Sequence, residues 1–144
     1  MKRLIAAVSL LSATTLALAQ ATPVGLWKTI DDETKTEKSL VRISEAGGAL
    51  SGKIEKLLDA KTPADAVCEK CSDERKGQPV VGLTIIRNAK ADGAKEHWEG
   101  GDIVDPNNGK VYKLRLKPLD GGKKLEVRGY IGPFYRNQQW IRVE

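Results

Sequence analysis

Apolar and polar residues alternate strictly along several stretches of the chain. Residues 110–117, KVYKLRLK, set Tyr112, Leu114 and Leu116 on one side and Val111, Lys113, Arg115 and Lys117 on the other. Residues 124–131, KLEVRGYI, set Leu125, Val127 and Ile131 against Lys124, Glu126 and Arg128. Val41 and Ile43 alternate with Arg42 and Ser44, and Leu50 and Ile54 lie opposite Ser51, Lys53 and Glu55. Successive side chains leave opposite faces of a pleated backbone, so this period of two predicts half-buried antiparallel strands. VGLWKTI (24–30), EHWEGGDIV (96–104) and NQQWIRV (137–143) carry shorter versions of the pattern. VVGLTII (80–86) is an unbroken apolar run, compatible with a strand or a short helix.

Turn chemistry separates these segments. Gly47-Gly48, Asp120-Gly121-Gly122 and Gly132-Pro133 lie between successive strand patterns, where glycine supplies unusual backbone angles and proline presets one. Gly52, Gly82, Gly100, Gly101 and Gly129 fall within or beside the patterns and predict bulges or sharp bends. Eight strand segments without long helices predict an all-β fold, an eight-stranded antiparallel up-and-down barrel, because closure removes exposed edges. An outer-membrane barrel is disfavoured, since the outward-facing Lys and Arg would meet lipid. The long connection at 58–79 contains Thr62-Pro63, an N-cap and first-turn signal. It predicts one or two helical turns over 63–70, in a short helical cap around 60–75.

The N-terminus changes the compartment. MKRLIAAVSLLSATTLALAQATP has a basic start, a short apolar run and Ala17-Leu18-Ala19 before Gln20, the organisation of a secretory signal peptide. Removal of residues 1–19 leaves 144 − 19 = 125 residues, enough for one domain over 20–144. The formal charge then falls from +5 to +3, because Lys2 and Arg3 leave. The expected location is the periplasm or the exterior, where cysteines pair. Cys68 and Cys71 are the only two cysteines and form C-x-x-C. Zinc needs four ligands, and the chain adds only His97 to these thiols. Thioredoxin-like chemistry needs a βαβ setting that the pattern does not supply. A local structural disulfide is the expected state.

Candidate chemistry is sparse. In GGDIVDPNNGKVY (100–112), Gly109 stands where a calcium loop requires a ligand and no Glu follows at the right distance, so DPNNG predicts a hairpin turn. His97 lacks a partnered nucleophile pattern and is expected to be a solvated strand residue. Asp31, Asp32 and Glu33 open a polar segment without the apolar surroundings that raise a carboxylate pKa. No catalytic residue, metal ligand or cofactor is therefore expected. Residues 110–142 hold nine Lys and Arg against Asp120 and Glu126, a local balance of +7. Nucleic acid is a poor partner for an exported chain, whereas an anionic envelope component suits this charge. A solvated outer barrel face accounts for it better, because these charges lie on the outward parity and no aromatic residues interleave with them.

Particular residues carry a family resemblance. Gly25-Leu26-Trp27 in the first strand and Arg142 after Trp140 in the last resemble the G-x-W and closing Arg of lipocalin-like barrels. GLWKT, CEKC, GQPVVGLTIIRNAK, WEGGDIVDPNNGKVY, LEVRGYIG and QQWIR together resemble the bacterial domain-of-unknown-function 2147 family (DUF2147) over nearly the whole mature chain. The resemblance implies an exported, lipocalin-like β-barrel and no assigned activity.

Two functional classes follow. A binding module would place a small apolar or amphiphilic ligand inside the barrel, with Trp27, Trp98, Tyr112, Leu114, Val127, Tyr130, Trp140 and Arg142 as candidate contacts. An envelope structural or interaction protein would fill the same interior with side chains and act through its basic surface and cap loop. A cavity of a few hundred Å³ separates the first from the second.

Overall fold

A computed structural model describes residues 21–94 and 96–144; the expected signal segment, residues 1–19, lies outside them. The chain forms β1 (Gly25–Ile30), β2 (Glu37–Ala46), β3 (Ala49–Leu57), β4 (Thr84–Ala91), β5 (Trp98–Val104), β6 (Val111–Leu119), β7 (Lys124–Ile131) and β8 (Phe134–Arg142). Each strand pairs antiparallel with the next, and β8 returns to β1, closing an eight-stranded barrel. The alternation seen in the sequence is the inside and outside of this barrel. Val41, Ile43, Leu50, Ile54, Leu114, Leu116, Leu125 and Val127 are all buried within it. Trp27, Trp98 and Trp140 join them in the core.

The barrel has two unlike ends. At the lower end the β8–β1 seam has only two paired positions, Trp27 with Arg142 and Lys28 with Ile141. Backbone bonds from Leu26 N–H to the Glu144 carbonyl and from Val143 N–H to the Leu26 carbonyl extend it. At the upper end lie the β1–β2 loop, the 58–83 connection, the β5–β6 hairpin and the Gly132-Pro133 turn. The DPNNG stretch is that β5–β6 hairpin. Asp105 Oδ1 accepts the Asn107 N–H at 2.8 Å, Asn108 Oδ1 accepts the Lys110 N–H at 2.8 Å, and Gly109 N–H bonds back to the Asp105 carbonyl at 2.7 Å.

Two local expectations are revised. The apolar run at 80–86 is not itself a strand; β4 begins at Thr84 and continues through the polar ArgAsnAlaLysAla stretch to Ala91. Asn88 adopts a positive φ of 58° there, which breaks the period of two and hides the strand from pattern reading. The helical turns expected at 63–70 are single turns instead, Thr62 N–H to the Asp59 carbonyl and Ala66 N–H to the Pro63 carbonyl. Beyond them the backbone is committed elsewhere. Val80 N–H bonds to Ala66, Cys68 N–H to Gln78 and Gly77 N–H to Cys68, forming a small antiparallel flap with a Val67–Pro79 bridge. So few free residues cannot repay helix nucleation.

The flap is closed at its tip by the Cys68–Cys71 disulfide, as expected. It is fastened to the barrel by Arg75, a buried guanidinium that pairs with Asp73 at 2.6 Å and donates to the Thr84 carbonyl at 3.0 Å. On the other side Cys68 Sγ lies 3.9 Å from the Pro106 carbonyl of the β5–β6 hairpin.

Candidate functional site

Beneath the flap the upper half of the barrel is not filled. A cavity of about 240 Å³ opens toward the mouth. Much of its floor and walls is apolar: Ile54, Ile85, Ile103, Val104, Val127 and Trp140 from the strands, with Ala66, Val67 and Val80 from the flap above. Gly129 contributes by lacking a side chain, since a Cβ there would stand 3.1 Å from Tyr112 Cβ and 3.2 Å from its Cγ. The Tyr112 ring occupies that space against the wall.

The period of two along β8 carries polarity from mouth to floor, with Arg136, Gln138 and Trp140 all lining the cavity. Arg136 grips Asp32 of the β1–β2 loop through Nη2 at 2.6 Å and Nε at 3.2 Å. Gln138 Nε2 donates to the same Asp32 at 3.5 Å, and its Oε1 accepts the Trp140 indole N–H at 2.9 Å. On the β1–β2 wall the Thr29 and Ser39 hydroxyls are 2.8 Å apart and buried. At the mouth Lys38 Nζ meets Asp59 Oδ2 at 2.8 Å. Asp31 Oδ1 accepts the Thr34 N–H at 2.7 Å and the Glu33 N–H at 3.0 Å.

These contacts hold the mouth charged. The Thr34 backbone N–H keeps the Asp31 carboxyl below its ordinary value, and the Arg136 guanidinium does the same for Asp32. The hydrogen bond with Asp59 raises Lys38, and its counterpart lowers Asp59. Asp31, Asp32, Lys38 and Asp59 therefore each already have a partner, and none of these carboxyls is tuned to exchange a proton near neutrality. The arrangement suits orientation of a polar group above an apolar pocket rather than acid–base work.

The sequence-predicted contacts divide. Tyr112, Val127 and Trp140 line the cavity. Trp98 and Leu114 are buried in the core but not in its lining. Trp27 and Arg142 meet at the closed end, where the guanidinium lies 4.2 Å from the ring centre. Tyr130 lies on the outer face, its ring 5.9 Å from that of Tyr135. His97 stands at the lower end, Nδ1 3.6 Å from Asp92 and Nε2 3.5 Å from Glu99. Among the described residues no group of three or more His, Cys, Asp or Glu side chains is placed to hold a metal ion.

Lys38, Asp59, Arg136 and the Thr29–Ser39 pair escaped pattern reading, whereas Asp31 and Asp32 were weighed only as acid–base carboxylates. Thr29 and Gln138 did carry a signal: each is a polar residue two positions from an inward tryptophan on the same strand, and hence on the inward side.

The comparisons agree with this geometry. Protein HP1028 from Helicobacter pylori, reported to belong to the lipocalin family, superposes with a TM-score of 0.73, 18% identity and coverage of 86% of this chain and 84% of its own. At that identity the likeness establishes the fold, a lipocalin-like barrel. No curated protein matches the chain. Residues 25–142 match the family described as an uncharacterized protein conserved in bacteria, and the chain belongs to this family, DUF2147.

Proposed function

We propose that this protein is exported and holds a small apolar or amphiphilic molecule in its barrel. The observation that carries the reading is the cavity itself, an apolar pocket of about 240 Å³ beneath a rim of fixed charges. Its volume lies below the roughly 300–1,000 Å³ of sites for drug-sized ligands. The suitable occupant is correspondingly small, a short alkyl chain or a compact ring system, with its polar end toward Lys38 and Arg136. Export is supported by the basic start, apolar run and Ala-x-Ala of residues 1–19, and by a cap disulfide that suits an oxidising compartment.

A second reading, attachment to an anionic envelope component, is supported by the exposed Lys113 and Lys117 on the outer face of β6. It is compatible with the first.

Native mass spectrometry on protein recovered from the periplasm tests the carrier reading. A bound mass released by denaturation is expected, and Val127→Phe, which projects a larger side chain into the cavity, should lose it. Absence of any passenger in the wild type, together with unchanged Trp140 emission on titration with short-chain fatty acids, would overturn it.

A further inference from the structure

β7 and β8 run past the mouth to the Gly132-Pro133 turn, and both faces of this extension are apolar. Alternation from the buried Leu125 and Val127 places Ile131 on the inward side. Alternation back from Trp140 places Phe134 there too. Above the mouth they are open to solvent, Phe134 76% exposed and Ile131 47%. On the outer side Tyr130 and Tyr135 are register partners with ring centres 5.9 Å apart, and Tyr135 is 56% exposed. A half-buried strand pair hides one face and solvates the other. Here neither face is polar, and folding does not require it. A contiguous exposed apolar patch of this kind marks an interaction surface.

Charge selects the partner. Lys113 is the register partner of Tyr130, and the Arg128 guanidinium lies 4.3 Å from the Tyr135 ring centre, below the tip. Lys110 and Lys113 are exposed and have no ion-pair partner among the described residues. At the mouth the Asp32 carboxylate is neutralised by Arg136. An aliphatic and aromatic tip above a basic collar matches a bilayer boundary, where apolar side chains enter the acyl edge and cations meet anionic headgroups. A second copy fits less well. It would bring two basic collars together, and a single hairpin tip falls far short of the roughly 20–30 residues a side of a stable interface.

We propose that the β7–β8 tip docks this protein on an anionic lipid bilayer, with Ile131 and Phe134 inserted, Lys110 and Lys113 on the headgroups and the cavity mouth facing the membrane. The docking does not depend on what the cavity holds.

Co-sedimentation of the mature protein with vesicles tests it, using pure phosphatidylcholine and an equal mixture of phosphatidylcholine and phosphatidylglycerol. Binding to the anionic vesicles that weakens with added salt is expected, with little binding to the neutral ones. Ile131→Ser with Phe134→Ser should lower partitioning about tenfold or more, and Lys110→Ser with Lys113→Ser should lower it about fivefold per lysine. Far-ultraviolet circular dichroism should stay unchanged in both. Val127→Phe should bind vesicles like the wild type, which separates this test from that of the carrier reading. No sedimentation with anionic vesicles, or equal sedimentation by the Ile131/Phe134 variant, would overturn the proposal. So would a concentration-dependent dimer in the wild type that this variant abolishes, since the tip would then be a self-association surface.

Discussion

The Arg142 guanidinium lies 4.2 Å from the centre of the Trp27 ring while donating to three backbone carbonyls, Gly122 at 2.5 Å, Val24 at 2.8 Å and Thr22 at 2.7 Å. Those carbonyls belong to the turn before β7 and to the segment leading into β1. A single side chain on β8 therefore ties the last strand to the segment entering the first, at the seam with the fewest paired positions. Arg142→Ala should cost about 2–4 kcal/mol, the combined loss of charge-assisted hydrogen bonds and a cation–π contact. Arg142→Lys should recover less than half, because an ammonium cannot fan out to three carbonyls while stacking on the ring. Urea midpoints of the three proteins measure this directly.

Gly109 has a φ of +73°, and a Cβ there would overlap the Lys70 carbonyl. The β5–β6 hairpin and the flap thus meet backbone to backbone. Gly109→Ala should destabilise the protein by about 1–3 kcal/mol and lift the flap. Hydrogen exchange should accelerate at residues 66–80 while the strands keep their protection. Unchanged flap protection would show that the two loops are not mutually supported.

Cys68 and Cys71 close a loop with a sequence separation of only 3. So short a loop removes little entropy from the unfolded chain, about 2 kcal/mol. Cys68→Ala with Cys71→Ala should keep the far-ultraviolet spectrum and lower the melting temperature by about 2–8 °C. Loss of the barrel signal would contradict the local role of the bridge.

The Arg75 side chain, with support from its backbone N–H, draws the Asp73 carboxyl down from 3.8 to about 2. A carboxyl with a depressed folded pKa binds its proton more tightly in the unfolded chain. Its stabilising contribution is therefore present above the unfolded value and lost as pH falls from 3.8 through about 2. Melting temperature should drop across that window, and Asp73→Asn should shrink the drop while lowering stability near neutrality. A wild-type and variant pair with parallel profiles would show that this ion pair does not couple to folding.

Much of the fold was legible locally. Whether a side chain enters a barrel or leaves it depends on the pleat of its own strand, so the alternation in KVYKLRLK and KLEVRGYI already assigned Leu114, Leu116, Leu125 and Val127 to the interior. Asp105, Asn108 and Gly109 marked a hairpin for the same reason, since their bonds run within a few residues. The β4 boundary was less legible because Asn88 leaves the regular extended conformation and disturbs the period. The candidate site was decided by closure. Arg136 and Asp32 are 104 residues apart in sequence and 2.6 Å apart in space, and Lys38 meets Asp59 only because the chain turns from β3 into the flap. Nor does composition distinguish a filled barrel from an open one. The same inward parity buries Trp27, Leu116 and Leu125 in the core and leaves a cavity of about 240 Å³ beneath the flap, because Ala66, Val67 and Val80, which the flap contributes to the lining, are small side chains.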